Sequence, residues 1–190
     1  MIPFSALIPA AGRSDRMGTE KALLTLPGGS TFASHLINTY RELGCETVVL
    51  VHNETLDLSA IRSGPFVAVL NKNQEWGRSW SIHLGLQKIP EGSACYLQNV
   101  DNPFALPELL REMISKLKAH GFVVPVYQGR GGHPVLLGSE VASFLREQPP
   151  VADFREVLKN FERREVPSAY EQVLWNINTP EECGKHILNF

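Results

Sequence analysis

The stretch LIPAAGRSDRMGTEKALL, residues 7–24, begins as an apolar strand and passes through small residues into a polar loop. After Pro9 come Ala10, Ala11 and Gly12. Their small side chains let a ligand approach the backbone closely, and turns of this kind can point amide groups at an anion. The stretch therefore predicts a strand whose carboxyl end carries a ligand-binding loop.

The same loop is cationic. It contains Arg13, Arg16 and Lys21. Arginine offers a planar fork of donors and lysine a compact charge, and both suit phosphate oxygens. We therefore predict that the loop binds phosphate groups. The alternative is a solvated basic turn after a strand.

Outward from this loop, apolar and amphipathic runs alternate. The apolar runs predict strands at residues 4–9, 47–52, 66–70, 94–100, 122–127 and 133–137, with further strand material near Glu165 and at 173–177. The amphipathic runs predict helices at residues 32–43, 79–89, 107–120, 139–147 and 153–160, and a last helix from Pro180. Thr31 is the expected N-cap of the first helix, and Gly44 is its expected stop.

The predicted strands are nearly continuous hydrophobic runs, which is typical of a parallel sheet covered by helices on both faces. We therefore predict an α/β fold, with a single three-layer α/β/α domain over residues 1–190. Its sheet is expected to be mostly parallel and Rossmann-like, with an antiparallel element after Tyr127. In such sheets ligands bind beyond the carboxyl ends of the strands.

A second polar residue lies at such an end. The run CYLQNVDNP, residues 95–103, finishes an apolar strand on the carboxylate of Asp101. By itself this carboxylate also fits a local turn before Pro103. Two common phosphate motifs, GxxxxGK[ST] and GxGxxG, are absent from the sequence, which argues against a P-loop NTPase and a dinucleotide dehydrogenase.

Composition excludes several classes of protein. With 190 residues, 43% of them hydrophobic and 20% charged, the chain is long enough for one globular core and is not disordered. A formal net charge of −2 implies no general attraction to nucleic acid or to acidic membranes. The three cysteines are far apart, so we expect no disulfide framework and a reducing, cytoplasmic location. No signal peptide or membrane-spanning segment is expected.

The loop resembles the signature of the MobA/MocA-like nucleotidyltransferases, roughly L-A-A-G-x-S-x-R-M-G-x-x-K-x-L-L. Later segments resemble the family's motifs in the same order. They are EWGRSWSIHLGL at residues 75–86, NVDNP at 99–103, GRGGHPVLLG at 129–138 and NINTPEEC at 176–183. The resemblance covers nearly the whole chain and implies the fold of the nucleotide-diphospho-sugar transferases. It also implies Mg²⁺-dependent transfer of a nucleotidyl group from an NTP to a phosphorylated small-molecule acceptor, with release of pyrophosphate.

The resemblance also implies roles for individual residues. Arg16, Lys21 and Asp101 are the expected catalytic residues, and Asp101 and Asn178 are the expected Mg²⁺ ligands. The expected nucleotide-binding residues are Pro9, Ala10, Ala11, Gly12, Arg13, Arg16, Lys21, Asn71, Gly77 and Ser81. The expected acceptor side consists of Gly132, His133 and Pro134. For the segment with Gly77 and Ser81 a capped helix start is the alternative, and His133 also fits a plain turn residue.

The sequence departs from the family at one motif. Where the family has D-I-D-T-P-E-D, this chain has amides at Asn176 and Asn178. An amide can still offer a carbonyl oxygen to Mg²⁺, but it brings no charge. A non-catalytic nucleotide-binding relative is therefore one alternative function.

Substrate identity rests on finer resemblance. Ala-Ala-Gly in the loop resembles the cytidylyltransferases that act on the molybdenum cofactor, whereas guanylyl-specific relatives favour Ala-Gly-Gly. CTP is thus the expected donor and a pterin phosphate, molybdopterin, the expected acceptor. A molybdoenzyme or its maturation factor would then be a protein partner. The alternative acceptors are a sugar, alditol or choline phosphate, with CTP or UTP as donor.

Overall fold

The computed structural model describes residues 2–14, 17–148 and 153–187. Its strands are β1 (Phe4–Pro9), β2 (Val48–His52), β3 (Val67–Leu70), β4 (Ala94–Leu97), β5 (Gly121–Tyr127), β6 (Arg130–Gly131), β7 (Val135–Leu137) and β8 (Glu162–Pro167). Its α-helices are α1 (Phe32–Leu43), α2 (Gly77–Leu86), α3 (Pro107–Lys116), α4 (Ser139–Glu147), α5 (Phe154–Leu158) and α6 (Pro180–Ile187). Short 3-10 turns connect several of them.

The strands form one sheet in the order β3-β2-β1-β4-β7-β5-β6, with β8 also paired to β5. Strands β3, β2, β1 and β4 are mutually parallel, and β5 pairs in parallel with β8. Strand β7 is antiparallel to both β4 and β5, and β6 is antiparallel to β5. The predicted mostly parallel α/β sheet, with antiparallel elements after Tyr127, is confirmed.

Helices cover both faces of the sheet. Apolar residues of α1, α3 and α6 share one buried cluster with alternate side chains of β1 and β4. Residues of α2, α4 and α5 share the other cluster with the remaining side chains of the same strands. Gly85 of α2 lies so close to β1 that an added Cβ would meet Leu7 Cδ1 at 2.1 Å. A glycine is therefore required here for close helix–sheet packing.

Several predicted bounds are correct because local signals define them. Strand β1 covers the predicted residues, and Thr31 Oγ1 accepts a hydrogen bond from Ser34 N at the start of α1. At the other end of α1, Gly44 has φ 99°, a left-handed conformation that favours glycine.

Other predicted bounds are wrong. Helix α3 ends at Lys116 and not near His120, because Leu117 is extended and packs on the core. Gly121 is the first residue of β5. The apolar residues at 173–177 form no strand. Val173 and Ile177 are buried, but Val173 O accepts from His133 N at 2.8 Å and Ile177 N donates to Asp101 O at 2.7 Å, and both partners lie in loops.

The topology gathers polar loops at one edge of the sheet. The carboxyl ends of β1, β2, β3 and β4 meet there because these strands are parallel. Strand β7 begins at this edge, since Val135 pairs with Leu97 in antiparallel register. Within the described part of the chain, no helix is both long and apolar enough to cross a membrane.

Candidate active site

A cleft of about 220 Å³ opens at the carboxyl ends of β1 and β4. Its walls are the loop after β1, the start of α2 and the turn after β4. The lining residues are Pro9, Ala10, Ala11, Gly12, Ser14, Lys21, Gln74, Gly77, Arg78, Ser81, Asn99, Val100 and Asp101. The two polar segments that the sequence singled out, the loop after β1 and the turn at Asp101, thus line one cleft.

The loop after β1 is held by backbone hydrogen bonds, one to β2 and others within the loop. Ala10 N donates to Val51 O at 2.7 Å, and Met17 N donates to Ser14 O at 2.8 Å. Ser14 has φ 52°, a left-handed conformation that is uncommon for a residue with a side chain. Arg13 is exposed and does not line the cleft, and Arg16 lies outside the described residues.

Lys21, Asp101 and Asn178 form a cluster at this cleft. Lys21 Nζ donates to Asn178 Oδ1 at 2.6 Å and lies 3.6 Å from Asp101 Oδ2. The side chains of Lys21 and Asp101 are only 17% and 23% exposed. A lysine that is partly removed from water and shared between an amide and a carboxylate is held in a defined position. The structure therefore unites three residues from distant parts of the sequence.

Asp101 is poorly solvated in this cluster. Burial raises the pKa of its carboxyl above the ordinary value, and the nearby positive charges of Lys21 and Arg78 only partly offset this. Its Oδ1 atom is sealed from solvent and accepts no hydrogen bond from any described residue. A buried, unpartnered carboxylate oxygen is costly for the protein alone, and it is suited to a cation.

A buried network attaches the C-terminal segment to the turn that carries Asp101. Asn102 is 0% exposed, and its Nδ2 donates to Trp175 O at 2.6 Å and to Gln172 O at 3.1 Å. On the other side, Gln98 Nε2 donates to Asn102 O at 2.6 Å. This network sets the distance between Asp101 and Asn178, because both residues flank the bonded segments.

Asn102→Ala is expected to destabilise the protein by about 1–3 kcal/mol, since the carbonyl of Trp175 would lose its buried donor. We also expect weaker nucleotide binding, because Asn178 would no longer be held beside Lys21. Chemical denaturation and nucleotide titration would measure the two effects. Asn160→Ala, at an exposed amide that only bonds Val157 O, is the matched control. Equal stability of both variants would contradict the proposed anchoring role.

Of the predicted nucleotide-binding residues Asn71, Gly77 and Ser81, only two line the cleft. Gly77 and Ser81 line it, as does Gln74, which was not predicted from the sequence. Asn71 is buried behind it, where its Nδ2 donates to Ser81 Oγ at 2.9 Å and its Oδ1 accepts from Asn73 N at 2.8 Å. Asn71 therefore positions Ser81 and does not line the cleft itself.

A second cavity, of about 500 Å³, adjoins the cleft. Gly132 and His133 of the predicted acceptor side line it, whereas Pro134 is buried behind them. Asn99 Nδ2 lies 3.3 Å from His133 Nε2 and can only donate, which leaves the imidazole proton on Nδ1. Burial, with the charges of Arg78 and Arg155, lowers the pKa of His133 to about 4. This histidine is therefore neutral at pH 7.

Two arginines near these cavities were not predicted from the sequence. Arg78, at the start of α2, lines both the cleft and the second cavity, and Arg155 of α5 lines the second cavity. Burial lowers the pKa of Arg78, Asp101 raises it, and Arg155 lowers it further. A lone arginine in a helix gives no sequence signal, so only the folded chain reveals this pair.

Comparison with known proteins identifies the fold family. A sequence profile of the MobA-like NTP transferase domain matches residues 6–166. The molybdenum cofactor cytidylyltransferase of Escherichia coli (strain K12) is 24% identical over 186 residues, covering 96% of this chain and 94% of that protein. A "Probable molybdenum cofactor guanylyltransferase" of Natranaerobius thermophilus is 28% identical over 193 aligned residues, covering 94% and 92%.

Solved structures agree on the fold. Rv0371c from Mycobacterium tuberculosis H37Rv superimposes with a TM-score of 0.85 at 21% identity, covering 98% of both chains. A structure of Rv0371c in complex with manganese gives a TM-score of 0.79 at 18% identity, covering 99% of this chain and 100% of that one. With the profile match over most of its length, the chain belongs to the family of MobA-like NTP transferase domains and is a nucleotidyltransferase.

Proposed function

We propose that the chain transfers a cytidylyl group from CTP to the phosphate of a small acceptor, with Mg²⁺ as cofactor and pyrophosphate as the second product. The observation that carries this proposal is the cluster of Lys21, Asp101 and Asn178 beside a loop of small residues. A triphosphate in the cleft would meet the Lys21 ammonium and the backbone that Ala10, Ala11 and Gly12 contribute to the cleft lining.

The residues present fit a magnesium ion. Asp101 Oδ1 is sealed from solvent and has no hydrogen-bond partner among the described residues. The side-chain carbonyl oxygen of Asn178 accepts a hydrogen bond from Lys21, the lysine that lies beside Asp101. Mg²⁺ prefers oxygen ligands and often takes one or two carboxylates, with waters and substrate phosphates completing its shell. Asp101 and Asn178 would hold the ion. When bound, it would supply positive charge against the charge that develops on the phosphate oxygens.

The chain's own residues would position the reactants. Lys21 would hold phosphate oxygens of the nucleotide, and an oxygen of the acceptor phosphate would attack the α-phosphorus. One O–P bond forms while the bond from the α-phosphorus to the bridging oxygen breaks, and pyrophosphate leaves. Because the attacking oxygen comes from the acceptor, no side chain has to act as the nucleophile.

The proposed preference for CTP rests on the size of the cleft. Ala11 lines the cleft, and its methyl group reduces the space that a glycine would leave. At about 220 Å³ the cleft is also smaller than typical ligand pockets of about 300–1,000 Å³, which favours the smaller pyrimidine base. The curated relatives carry both cytidylyl and guanylyl names, so their names do not decide between the bases.

We expect CTP to raise the melting temperature more than GTP at equal concentration, with an affinity advantage of about tenfold, which corresponds to about 1.4 kcal/mol. Ala11→Gly should reduce this advantage because it enlarges the base side of the cleft. Thermal shift and isothermal titration with both nucleotides would measure it. Stronger protection of the wild-type protein by GTP would contradict the assignment.

For the acceptor we propose molybdopterin, because both curated relatives are named for the molybdenum cofactor. The test of the whole reaction is pyrophosphate release from CTP with Mg²⁺ and a panel of acceptors. The panel contains molybdopterin and sugar, alditol and choline phosphates. Release with molybdopterin alone supports the proposal, whereas release with a sugar phosphate alone replaces the acceptor. No release with any acceptor and any nucleotide removes the proposed function.

A further inference from the structure

The second cavity collects positive charge without a matching carboxylate in its lining. Four cationic side chains line it, those of Arg78, Arg155, Lys159 and Arg163, and none of the described lining residues is acidic. Lys159 Nζ pairs with Glu156 Oε1 at 2.6 Å, and Arg163 Nη2 pairs with Glu165 Oε1 at 3.0 Å. Their charges are therefore partly neutralised. Arg78 has the Asp101 carboxylate of the neighbouring cleft near it, whereas Arg155 forms no ion pair with a described residue.

Neither of these two guanidinium groups makes a hydrogen bond or ion pair with another side chain in the described parts of the protein. They come from different helices, yet their charges act on each other and on His133. The two like charges repel each other, and the Asp101 carboxylate offsets this for Arg78. In such an arrangement a bound anion would relieve the repulsion and satisfy the free N–H donors.

A third donor faces the same region. His133 Nδ1 is sealed from solvent and has no partner among the described residues, and its neighbour Asn99 keeps the proton on this atom. The donors are thus two planar forks and one N–H group. A dianionic phosphate accepts several hydrogen bonds at once and matches this set better than a carboxylate does.

We propose that Arg78 and Arg155 bind the phosphate group of the acceptor at the boundary between the two cavities, with His133 Nδ1–H as a further donor. This assignment rests on the proposed nucleotidyl transfer. Arg78 reaches both cavities and lies near Asp101, so a phosphate held there is next to the nucleotide cleft. Arg155, unlike Arg78, lines the second cavity and not the nucleotide cleft, so its contact is with the acceptor.

The rest of the cavity indicates what carries that phosphate. Apolar side chains form much of its wall, those of Phe122, Val124, Val135, Phe154, Leu158 and Phe161. Aromatic and aliphatic walls favour a flat, weakly hydrated ring and offer few partners to hydroxyl groups. The acceptor is therefore a phosphate monoester with a ring system as its body, rather than a polyhydroxylated sugar or alditol.

Phenyl phosphate is a simple probe for this site, and glycerol 3-phosphate is its ring-free counterpart. Isothermal titration of the intact protein should show that phenyl phosphate binds more tightly than glycerol 3-phosphate. Arg155→Gln should weaken phenyl phosphate binding by at least about tenfold, as expected for a lost charge-assisted hydrogen bond. Its affinity for CTP should stay within about twofold of wild type. Arg155→Lys should recover part of the loss.

The matched control is Arg111→Gln, which removes the same charge from an exposed position of α3 on the other face of the sheet. It should bind phenyl phosphate like the wild type. Circular dichroism and thermal melting would verify that both variants fold. Unchanged phenyl phosphate binding in Arg155→Gln overturns the phosphate site, and equal binding of the two probes overturns the ring-binding wall.

The two proposals can fail separately. If the protein transfers a nucleotidyl group but the KM for the acceptor is the same in wild type and Arg155→Gln, the phosphate site is wrong and the function stands. If no transfer is found while phenyl phosphate binding still requires Arg155, the phosphate site stands and the function is wrong. In an active enzyme we expect Arg155→Gln to raise the acceptor KM at least about tenfold with little change in the KM for CTP.

Discussion

Asp101→Asn is expected to lower nucleotidyl transfer by about 10³-fold or more while the protein remains folded. The substitution keeps the size of the side chain and removes the charge that would hold Mg²⁺, and that charge is worth several kcal/mol in the transition state. Binding of Mn²⁺, followed by electron paramagnetic resonance in the presence of CTP, should weaken in parallel. Wild-type turnover in a folded Asp101→Asn protein would exclude Asp101 as the metal ligand.

The same substitution is expected to leave stability at pH 7 unchanged or higher. Burial raises the pKa of Asp101, so the folded protein holds this proton more tightly than the unfolded chain does. The stability that protonation provides is full below the ordinary Asp pKa of about 3.9 and is lost as the pH rises through the higher folded value. At pH 7 the ionised carboxylate therefore costs stability, and an amide removes this cost.

Melting temperatures of wild type and Asp101→Asn between pH 4 and pH 8 would test the sign. The variant should gain relative to wild type as the pH rises through the window above about pH 4. A variant that melts lower than wild type at pH 7 would contradict this account. It would show instead that the attraction between Asp101 and Lys21 outweighs the loss of hydration.

Lys21→Met is expected to weaken nucleotide binding by about 10- to 100-fold, the range for a lost charge-assisted hydrogen bond to phosphate. Methionine keeps much of the length and apolar stem of lysine, so packing should change little. Titration of CTP with and without Mg²⁺ would measure the effect. Lys88→Met, just beyond the far end of α2, is the matched control and should bind CTP as the wild type does.

Asn178→Ala distinguishes how much of the CTP affinity depends on the positive charge of Lys21 and how much on the position in which Asn178 holds it. This variant keeps the ammonium group and removes the 2.6 Å hydrogen bond that holds it. We expect a loss of CTP affinity smaller than that of Lys21→Met. If Lys21→Met binds CTP like the wild type, the role of Lys21 as a phosphate anchor is wrong.

The amino-acid sequence alone determined the features that depend on neighbouring residues. Strand β1, the N-cap at Thr31 and the left-handed Gly44 follow from residue type and spacing, and the structure has each of them. The sequence also predicts that the small-residue loop and Asp101 lie at the same edge of the sheet. Each comes directly after an apolar strand, and parallel strands end at one edge. Phosphate binding by the loop and metal binding by Asp101 remain predictions.

Only the tertiary structure decided which distant residues meet. Lys21 and Asn178 are 157 positions apart, and their contact depends on the buried amide of Asn102, which no local pattern predicts. Arg78 and Arg155 lie on separate helices, and each looks like an ordinary surface residue in the sequence. Local propensities set the helices and strands, but long-range packing free energy sets the distances between them. Most of the segments that line the cleft can therefore be predicted from the sequence, whereas the second cavity and its positive charge are found only in the folded chain.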